Sequence, residues 1–331
     1  MQQLFDRNLF LDLDELLDMP AKADKLFEHQ KVKWKLANEG YKSLSKVEIK
    51  KFEFDGFYVE AHFNPGRITS SSAKVDSKSI EARPCFLCVK NLPEDQKTVK
   101  IYGDYILLVN PFPIFDKHFT IPSVNHVPQS IENEFNSLIN ISLSLGKEYS
   151  VFYNGPKCGA SAPDHLHFQA GNFGFMSMDT QFDYLTNKYG KILLEENDFA
   201  VKAVDDTIRK YFIMESQNAE LLQQRFSKLF EILDKDDAGE PLLNIICHYD
   251  KSWRVIIFPR SKHRPTYYYL EGNDKILISP AAVDFGGVLI FPREEDFKKI
   301  NKDLIIDIFN QVTISEERLY HFSKKIKNSI K

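Results

Sequence analysis

The segment GASAPDHLHFQAG, residues 159–171, alternates polar and apolar side chains directly after a run of small residues. In an extended strand, alternate side chains lie on one face, so His165, His167 and Gln169 are predicted to project together. Leu166 and Phe168 would then face the core. The pattern predicts a half-buried strand whose polar face carries two imidazoles and an amide.

The small residues before this strand favour anion binding. Gly155, Gly159 and Ser161 allow backbone N–H groups and a hydroxyl to approach a phosphate closely. A neutral imidazole beside that phosphate can attack phosphorus and form a covalent intermediate. The amide of Gln169 can only hydrogen-bond and does not titrate, which favours transfer to a phosphate over transfer to water. On these residues alone, a polar strand face or an isolated metal-binding pair remains an alternative.

Composition and charge limit the class of protein. The chain has 331 residues, a formal net charge of −4 and 43% apolar residues, which is typical of a soluble globular protein. The basic residues are scattered, so no nucleic-acid surface is predicted. The N-terminus does not resemble a signal peptide, and no apolar run reaches membrane-spanning length. Four cysteines do not make a disulfide framework, and we predict a cytoplasmic protein with no membrane partner.

Periodicity predicts an α+β fold with two related units, each containing an antiparallel sheet and a long helix. Residues 1–45 are interpreted as a helical or irregular N-terminal extension, residues 46–195 as the catalytic unit and residues 196–331 as the second unit. An antiparallel sheet is predicted to begin with the hairpin that turns at Asp55 and Gly56. A helix of four or five turns is predicted after Pro128, and residues from about 190 to 240 are predicted to be helical.

The stretch HLHFQ resembles the His-x-His-x-Gln signature of the transferase branch of the histidine-triad superfamily. This branch includes galactose-1-phosphate uridylyltransferases, diadenosine tetraphosphate phosphorylases and GDP-hexose phosphorylases. The resemblance implies that His167 is the nucleophile and that Ser161 and Gln169 contact phosphate. It also implies that the two units are fused histidine-triad-like units, of which the second is degenerate because it lacks a His-x-His-x-Gln of its own.

The stretch CFLC places Cys85 and Cys88 at the spacing that lets two thiolates occupy adjacent corners of a tetrahedron. The resemblance to uridylyltransferases implies that His126 and His165 complete a structural zinc site. His118 is an alternative ligand. An ordinary pair of buried cysteines is the alternative to any metal.

Further ligand contacts follow from the same resemblance. It places Asn110 and Phe112 at the ribose and base, although Asn-Pro and Phe-Pro also end strands. It makes Asn154 a contact next to the phosphate loop. Apart from the resemblance, Arg67 and Arg83 are candidates for phosphate binding. Four basic residues of the second half are candidates for a sugar phosphate or a second phosphate group, because guanidinium groups suit phosphate oxygens, and a charged, solvated turn is the alternative for each. They are Arg254, Arg260, Lys262 and Arg264.

The predicted function is transfer of a nucleotidyl group from a nucleoside diphosphate sugar or dinucleoside polyphosphate to phosphate or a sugar phosphate. Two alternatives are a hydrolase of the same fold and a non-catalytic, zinc-stabilised nucleotide-binding protein. The predicted cofactor is structural zinc, with magnesium as a candidate assistant. The predicted ligands are a nucleotide or nucleotide sugar and a phosphate or sugar phosphate, and a homodimer is one of the assemblies left open.

Overall fold

The strands form a ten-stranded antiparallel sheet and a separate three-stranded sheet. This computed structural model describes residues 9–68, 76–236 and 239–329. The ten-stranded sheet has the order β3-β4-β5-β7-β6-β11-β12-β10-β9-β8, and the small sheet has the order β1-β2-β13. The strands are β1 Glu48–Glu53, β2 Tyr58–Phe63, β3 Thr98–Tyr102, β4 Tyr105–Val109, β5 His118–Pro122, β6 Tyr149–Asn154, β7 His167–Asn172, β8 Gly190–Glu196, β9 Phe199–Asp205, β10 Lys210–Ser216, β11 Leu243–Asp250, β12 Ser252–Pro259 and β13 Val288–Phe291.

The ten-stranded sheet consists of two halves of five strands. The first half contains β3 to β7, and the second contains β8 to β12. They join where β6 pairs with β11, from Asn154 opposite Asn244 to Ser150 opposite His248. The prediction of two related α+β units is confirmed, and the backbone hydrogen bonds between β6 and β11 make the two units one continuous sheet.

Helices pack on both faces of this sheet. They are α1 Met19–Lys33, α2 Lys35–Ser43, α3 Ser77–Glu81, α4 Phe135–Leu145, α5 Ser177–Tyr189, α6 Ala219–Ile232, α7 Ala282–Phe285, α8 Glu294–Lys299, α9 Lys302–Val312 and α10 Glu316–Ser329. The long helices of the two halves, α4 and α6, meet where the rings of Phe135 and Phe226 stack with centroids 3.7 Å apart and planes 5° apart. Such aromatic pairs add roughly 0.5–1.5 kcal/mol beyond the burial of their area.

The N-terminal segment packs against the first half of the sheet. Helix α1 begins where the side chain of Asp18 accepts a hydrogen bond from the backbone N–H of Ala21 at 3.0 Å. Leu26 and Phe27 of α1 and Tyr41 of α2 belong to the same buried core as β4, β5 and β7. Residues 1–8 of the predicted extension lie outside the described residues.

The predicted hairpin is present, but its position in the fold differs from the prediction. Strands β1 and β2 pair antiparallel across Asp55 and Gly56, and Gly56 has a φ of +81°. They do not begin the main sheet. The free edge of β2 pairs in parallel with β13 from the far end of the chain, which forms the separate small sheet. Because this pairing joins segments more than 200 residues apart, no local pattern could indicate it.

Two helix predictions also need correction. The stretch from 190 to 216 forms strands β8, β9 and β10, and only Ala219–Ile232 within the predicted 190–240 segment is helical. In β9 the buried residues Phe199, Val201 and Ala203 alternate with partly exposed ones, which is a strand period. The helix after Pro128 has 11 residues, because turns occupy the chain before Phe135. Within the described residues, no helix combines the length and apolar character that crossing a membrane requires.

Candidate functional site

A cavity of about 460 Å³ lies on the face of the main sheet opposite α4 and α6. In β7, Phe168 and Ala170 pack into the core beneath these helices, whereas His167 and Gln169 line the cavity. This arrangement agrees with the predicted alternation of the strand. Both halves of the chain contribute walls, since seven residues of the second half, between His263 and Ile290, also line the cavity.

His167 presents one ring nitrogen to the cavity. Its Nδ1 lies 2.8 Å from the backbone carbonyl oxygen of His165. A carbonyl only accepts, so Nδ1 carries the proton and donates, and Nε2 keeps a free lone pair. Among the described residues, Nε2 has no hydrogen-bond partner. Burial lowers the pKa of His167 to about 4, which favours the neutral ring.

The loop before β7 offers open hydrogen-bond donors. Within the described part of the chain, the backbone N–H groups of Gly159, Ala160 and Ser161 have no acceptor, and the Ser161 hydroxyl has no partner. All three residues line the same cavity as His167. A bend that presents several unpaired N–H groups to a cavity suits an anion such as phosphate.

Gln169 is held by His118. The Oε1 atom of Gln169 lies 3.0 Å from Nε2 of His118 on the neighbouring strand β5. His118, the alternative metal ligand, lies outside the group of Cys and His side chains that could hold a metal ion. Its ring is fully buried, and desolvation followed by the charge of Arg67 lowers its pKa to about 3. The imidazole thus stays neutral over the physiological pH range.

Gln129 is a site residue that the sequence interpretation missed. Its Oε1 accepts a hydrogen bond from the backbone N–H of His167 at 2.8 Å. Its Nε2 donates to the backbone carbonyls of Asn154 at 2.9 Å and His167 at 3.0 Å. One buried amide therefore fixes the end of β6 relative to the start of β7. The only local signal was a glutamine close to Pro128, which carries no information on this contact.

The other predicted ligand-binding residues fall into two groups. Asn110, Phe112, Asn154 and Arg67 line the cavity, whereas Gly155 does not. The N–H of Gly155 donates to the carbonyl of Leu243 at 3.1 Å, and a Cβ atom at this position would lie 2.8 Å from that oxygen. Gly155 is therefore needed for the close approach of β11 and does not contact the cavity.

Contacts with other residues of the chain occupy part of the hydrogen-bonding capacity of the lining side chains. Asn110 accepts a hydrogen bond from the N–H of Phe112 at 2.9 Å and donates one to Thr120 Oγ1 at 3.1 Å. These two bonds form a turn that ends the strand, which was the alternative to a role of Asn110 in nucleotide binding. Asn154 Oδ1 accepts from Asn244 Nδ2 and from the N–H of Ala282, both at 2.8 Å. The Nδ2 group of Asn154 then remains for a ligand. Arg67 Nη1 donates to the carbonyl of Phe112 at 2.6 Å.

Four predicted metal ligands converge beside β7. The ligand atoms of Cys85, Cys88, His126 and His165 all lie within 4.8 Å of one another. The Nδ1 atoms of the two histidines are 3.2 Å apart, Cys85 Sγ lies 3.2 Å from His165 Nδ1, and Cys88 Sγ lies 3.2 Å from His126 Nδ1. A tetrahedral zinc ion with these ligands sets its ligand atoms about 3.3–3.8 Å apart. The cluster therefore fits a metal ion such as zinc.

The orientation of His165 also suits a metal ligand. Its Nε2 lies 2.7 Å from the carbonyl oxygen of Ser123 and must donate to it, which leaves the lone pair on Nδ1 directed at the two sulfurs. Arg83, a phosphate candidate from the sequence, pairs instead with Asp164 at 2.9 Å. This ion pair ties the segment before Cys85 to the residue that precedes His165.

The lining of the cavity also includes apolar side chains, some of them from the N-terminal segment. Trp34 and Leu36 lie at the junction of α1 and α2, and Phe86 and Leu87 lie between the two cysteines of the metal cluster. Gln96 adds an amide to this wall. Flat apolar walls with a few polar groups are typical of sites for planar ligands such as nucleobases.

Comparisons with known proteins agree with this architecture. Residues 26–172 match the family model DUF4922, a domain of unknown function, and residues 186–331 match the model described as GDPGP1-like, C-terminal domain. The structure of the yeast Ap4A phosphorylase Apa2 is 18% identical, with a TM-score of 0.57, and the match covers 92% of this chain and 96% of the yeast chain. For the same enzyme in complex with Ap4A, the identity is 18%, the TM-score is 0.59, and the coverage is 89% and 97%. No curated protein matches the sequence.

The two family models follow one another along the chain, and the yeast enzyme shares the fold over nearly its whole length. The predicted boundary between residues 195 and 196 remains a prediction. Residues 186–331 match a GDPGP1-like C-terminal domain and the chain shares a two-unit fold with Ap4A phosphorylase, so the predicted resemblance to a group that includes both kinds of protein is confirmed.

Proposed function

We propose that this chain is a nucleotidyltransferase that forms a covalent nucleotidyl-His167 and passes the nucleotidyl group to a phosphate. The donor class is a nucleoside diphosphate sugar or a dinucleoside polyphosphate, and the acceptor is inorganic phosphate or a sugar phosphate. The observation that supports this most strongly is the free Nε2 lone pair of His167 in a cavity that also holds the open N–H groups of Gly159, Ala160 and Ser161.

The first step forms one bond and breaks one. The Nε2 lone pair of His167 attacks the α-phosphorus of the donor, a P–N bond forms, and the P–O bond to the leaving phosphate breaks with its electron pair on oxygen. The ring gains positive charge in this step. Its Nδ1–H already donates to the carbonyl of His165 at 2.8 Å, and this hydrogen bond stabilises the cationic ring.

The second step reverses these changes with a new acceptor. A phosphate oxygen attacks the phosphorus, the P–N bond breaks, and the electron pair returns to Nε2. An anionic phosphate oxygen needs no general base, which matches a neutral glutamine at position 169 in place of a titrating side chain. The open N–H groups of the loop and the amide of Gln169 would hold the phosphoryl oxygens as their charge changes.

Zinc at the four-ligand cluster would be structural, because such a site leaves no position open for water or substrate. Its residues would position β7 through His165. Magnesium fits the cavity poorly. Among the described lining residues, Asp284 is the acidic side chain, and both of its carboxylate oxygens accept backbone N–H groups, from Ala281 and from Ile290.

Intact-protein mass spectrometry tests the proposal. The full chain is incubated with a panel of nucleoside diphosphate sugars and dinucleoside polyphosphates, and we expect one donor to add the mass of a nucleoside monophosphate. His167→Gln should abolish the adduct, because an amide nitrogen is not a nucleophile. The matched control is His321→Gln, at an exposed position of α10, which should keep the adduct.

Product analysis separates this function from its alternatives. If inorganic phosphate or a sugar phosphate is required for turnover, transfer is supported. Release of nucleoside monophosphate at the same rate without either acceptor would identify a hydrolase. An adduct that forms equally in His167→Gln would reject the nucleophile, and nucleotide binding without adduct or turnover would indicate a non-catalytic binding protein.

A further inference from the structure

The second half of the chain places one of its four candidate basic residues in the cavity. Arg260 is fully engaged, since its guanidinium donates to Asn244 Oδ1 at 2.6 Å and to backbone carbonyls that include that of Pro280 at 3.0 Å. Lys262 is exposed and its Nζ lies 3.4 Å from the side chain of Gln311. Arg254 lines a different hollow. Of the four, Arg264 lines the same cavity as His167.

Arg264 is held in position while part of its guanidinium stays free. Its Nε donates to Ser279 Oγ at 3.0 Å, and its guanidinium carbon lies 4.0 Å from the ring centroid of Tyr268. Considering all residues that the structure describes, Nη1 and Nη2 have no hydrogen-bond partner. A fixed guanidinium with two open donors matches the geometry of phosphate oxygens.

His263 lies next to Arg264 and also faces the cavity. Its Nε2 is 3.5 Å from Ser279 Oγ, so the serine hydroxyl lies between the imidazole and the guanidinium. Desolvation, followed by the charges of Arg264 and Arg260, lowers the pKa of His263 to about 3. The ring is thus a neutral hydrogen-bonding group beside a permanent cation.

The charges around this position favour an anion. Arg67, on the wall contributed by the first half, is a second cation of the lining. The carboxylate of Asp284 opposes an anion, but both of its oxygens accept backbone N–H groups at 2.9 and 3.0 Å. The described lining therefore carries two guanidinium groups against one carboxylate that is already hydrogen-bonded.

We propose that Arg264, His263 and Ser279 form a second anion subsite, which binds the phosphate group that leaves from, or attacks, the nucleotidyl phosphorus. The ligand class is a phosphate dianion, supplied as inorganic phosphate or as a sugar phosphate. The proposal rests on the function proposed above and extends it, because it assigns the acceptor to the second half of the chain. The nucleotidyl phosphate itself would bind at the loop of Gly159 to Ser161.

Phosphorus NMR titrations of the full-length protein test the subsite without requiring turnover. Three probes are titrated separately: inorganic phosphate, a hexose 1-phosphate and a nucleoside monophosphate. We expect Arg264→Met to weaken binding of at least one of the first two probes tenfold or more, because a charged hydrogen-bonding group is lost. Binding of the nucleoside monophosphate should change less than about threefold, since its phosphate uses the loop.

Arg254→Met is a matched control. Arg254 also lies over an aromatic ring, with its guanidinium carbon 3.4 Å from the centroid of Phe182, but it lines the other hollow. It should leave all three titrations unchanged. Arg264→Lys should recover part of the affinity, because the charge returns without the guanidinium geometry.

The titration results distinguish inorganic phosphate from a sugar phosphate as the acceptor, and they distinguish failure of the proposed subsite from failure of the proposed function. A loss for inorganic phosphate alone identifies that acceptor, and a loss for hexose 1-phosphate alone identifies the sugar phosphate. Unchanged affinity for both in Arg264→Met, no binding of either by the wild type, or an equal loss for the nucleoside monophosphate would overturn the subsite. If no nucleotidyl-His167 forms but the Arg264→Met loss is seen, the proposed function fails and the subsite stands.

Discussion

The side chains of His118 and Gln169 form a hydrogen bond whose direction the backbone determines. The N–H of Ile114 points at His118 Nδ1 at 3.3 Å, so Nδ1 accepts and the proton resides on Nε2. Nε2–H must then donate to Gln169 Oε1, 3.0 Å away. The amide group of Gln169 can present only its NH2 group to the cavity, which is the orientation that a phosphate oxygen requires.

We therefore expect His118→Phe to lower the rate of nucleotidyl transfer. Phenylalanine keeps the size of the ring but allows the Gln169 amide to rotate, and the loss of one oriented hydrogen bond predicts about a tenfold reduction in kcat. Binding of a nucleoside monophosphate should change little. The measurement is kcat and KM for the phosphate acceptor under saturating donor.

A double-mutant cycle separates positioning from simple destabilisation. If His118 acts through Gln169, His118→Phe should have almost no further effect on kcat in a Gln169→Ala background. Full additivity of the two effects would show that His118 acts independently of the amide, and the positioning role would be rejected.

Metal content gives the second prediction. We expect one zinc per chain in the purified protein and loss of that zinc in Cys88→Ser, because the hydroxyl is a poor replacement for a thiolate ligand. Zinc loss should lower the melting temperature by roughly 5–10 °C, since β7 is tied to the cluster through His165. Elemental analysis measures the zinc content, and calorimetry measures the melting temperature.

Cys247→Ala is the control. This buried cysteine lies outside the cluster, so the variant should keep its zinc. A zinc-free wild type that is fully stable would contradict the site.

Local sequence patterns predicted those parts of the site that lie within a few residues of one another. The alternation around His167 predicted which side chains line the cavity, and the C-x-x-C spacing predicted half of the metal cluster. Both depend on strand geometry or on short turns, which the backbone imposes locally. The resemblance to a known family supplied the two histidines that complete the cluster.

Contacts between distant segments could not be predicted in this way. Gln129 reaches His167 across 38 residues, and Asn154 bonds to Asn244 across 90. Such contacts depend on how strands are ordered in the sheet, and the pairing of β6 with β11 leaves no periodic trace in either strand. The same limit applies to Arg264. The sequence did not distinguish it from the other three basic candidates, and only the fold shows that it is the one of the four that lines the cavity.

Phe86 gives a prediction for binding of the nucleobase. Its side chain lines the cavity but is 48% exposed, so removing it should not cost core packing. Stacking of an aromatic side chain on a nucleobase contributes about 1–3 kcal/mol by alanine substitution. Phe86→Ala should therefore weaken nucleoside monophosphate binding about fivefold or more while inorganic phosphate binding is unaffected.

The control is Tyr320→Ala, at an aromatic residue of α10 that is 67% exposed. Equal nucleotide affinity in both variants would place the base elsewhere.

Gly159 joins the phosphate-binding loop to the second half of the chain. It has a φ of +99°, and a Cβ atom at this position would lie 2.6 Å from the Cβ of Ala281. The loop can therefore approach the segment before α7 only because residue 159 has no side chain. This contact links the open N–H groups of the loop to the wall that also carries Ser279 and Asp284.

Gly159→Ala should consequently move the loop and reduce nucleotidyl-His167 formation by about tenfold or more, whereas a purely conformational cost would only lower stability by roughly 1 kcal/mol. Gly174→Ala separates the two effects, because Gly174 has a similar φ of +88° and no atom within 4 Å of the added Cβ. It should lose stability without losing adduct. Adding Ala281→Gly to Gly159→Ala removes the clashing methyl group and should restore part of the adduct, measured by intact mass. If the double variant is no better than Gly159→Ala alone, steric contact with Ala281 is not what positions the loop.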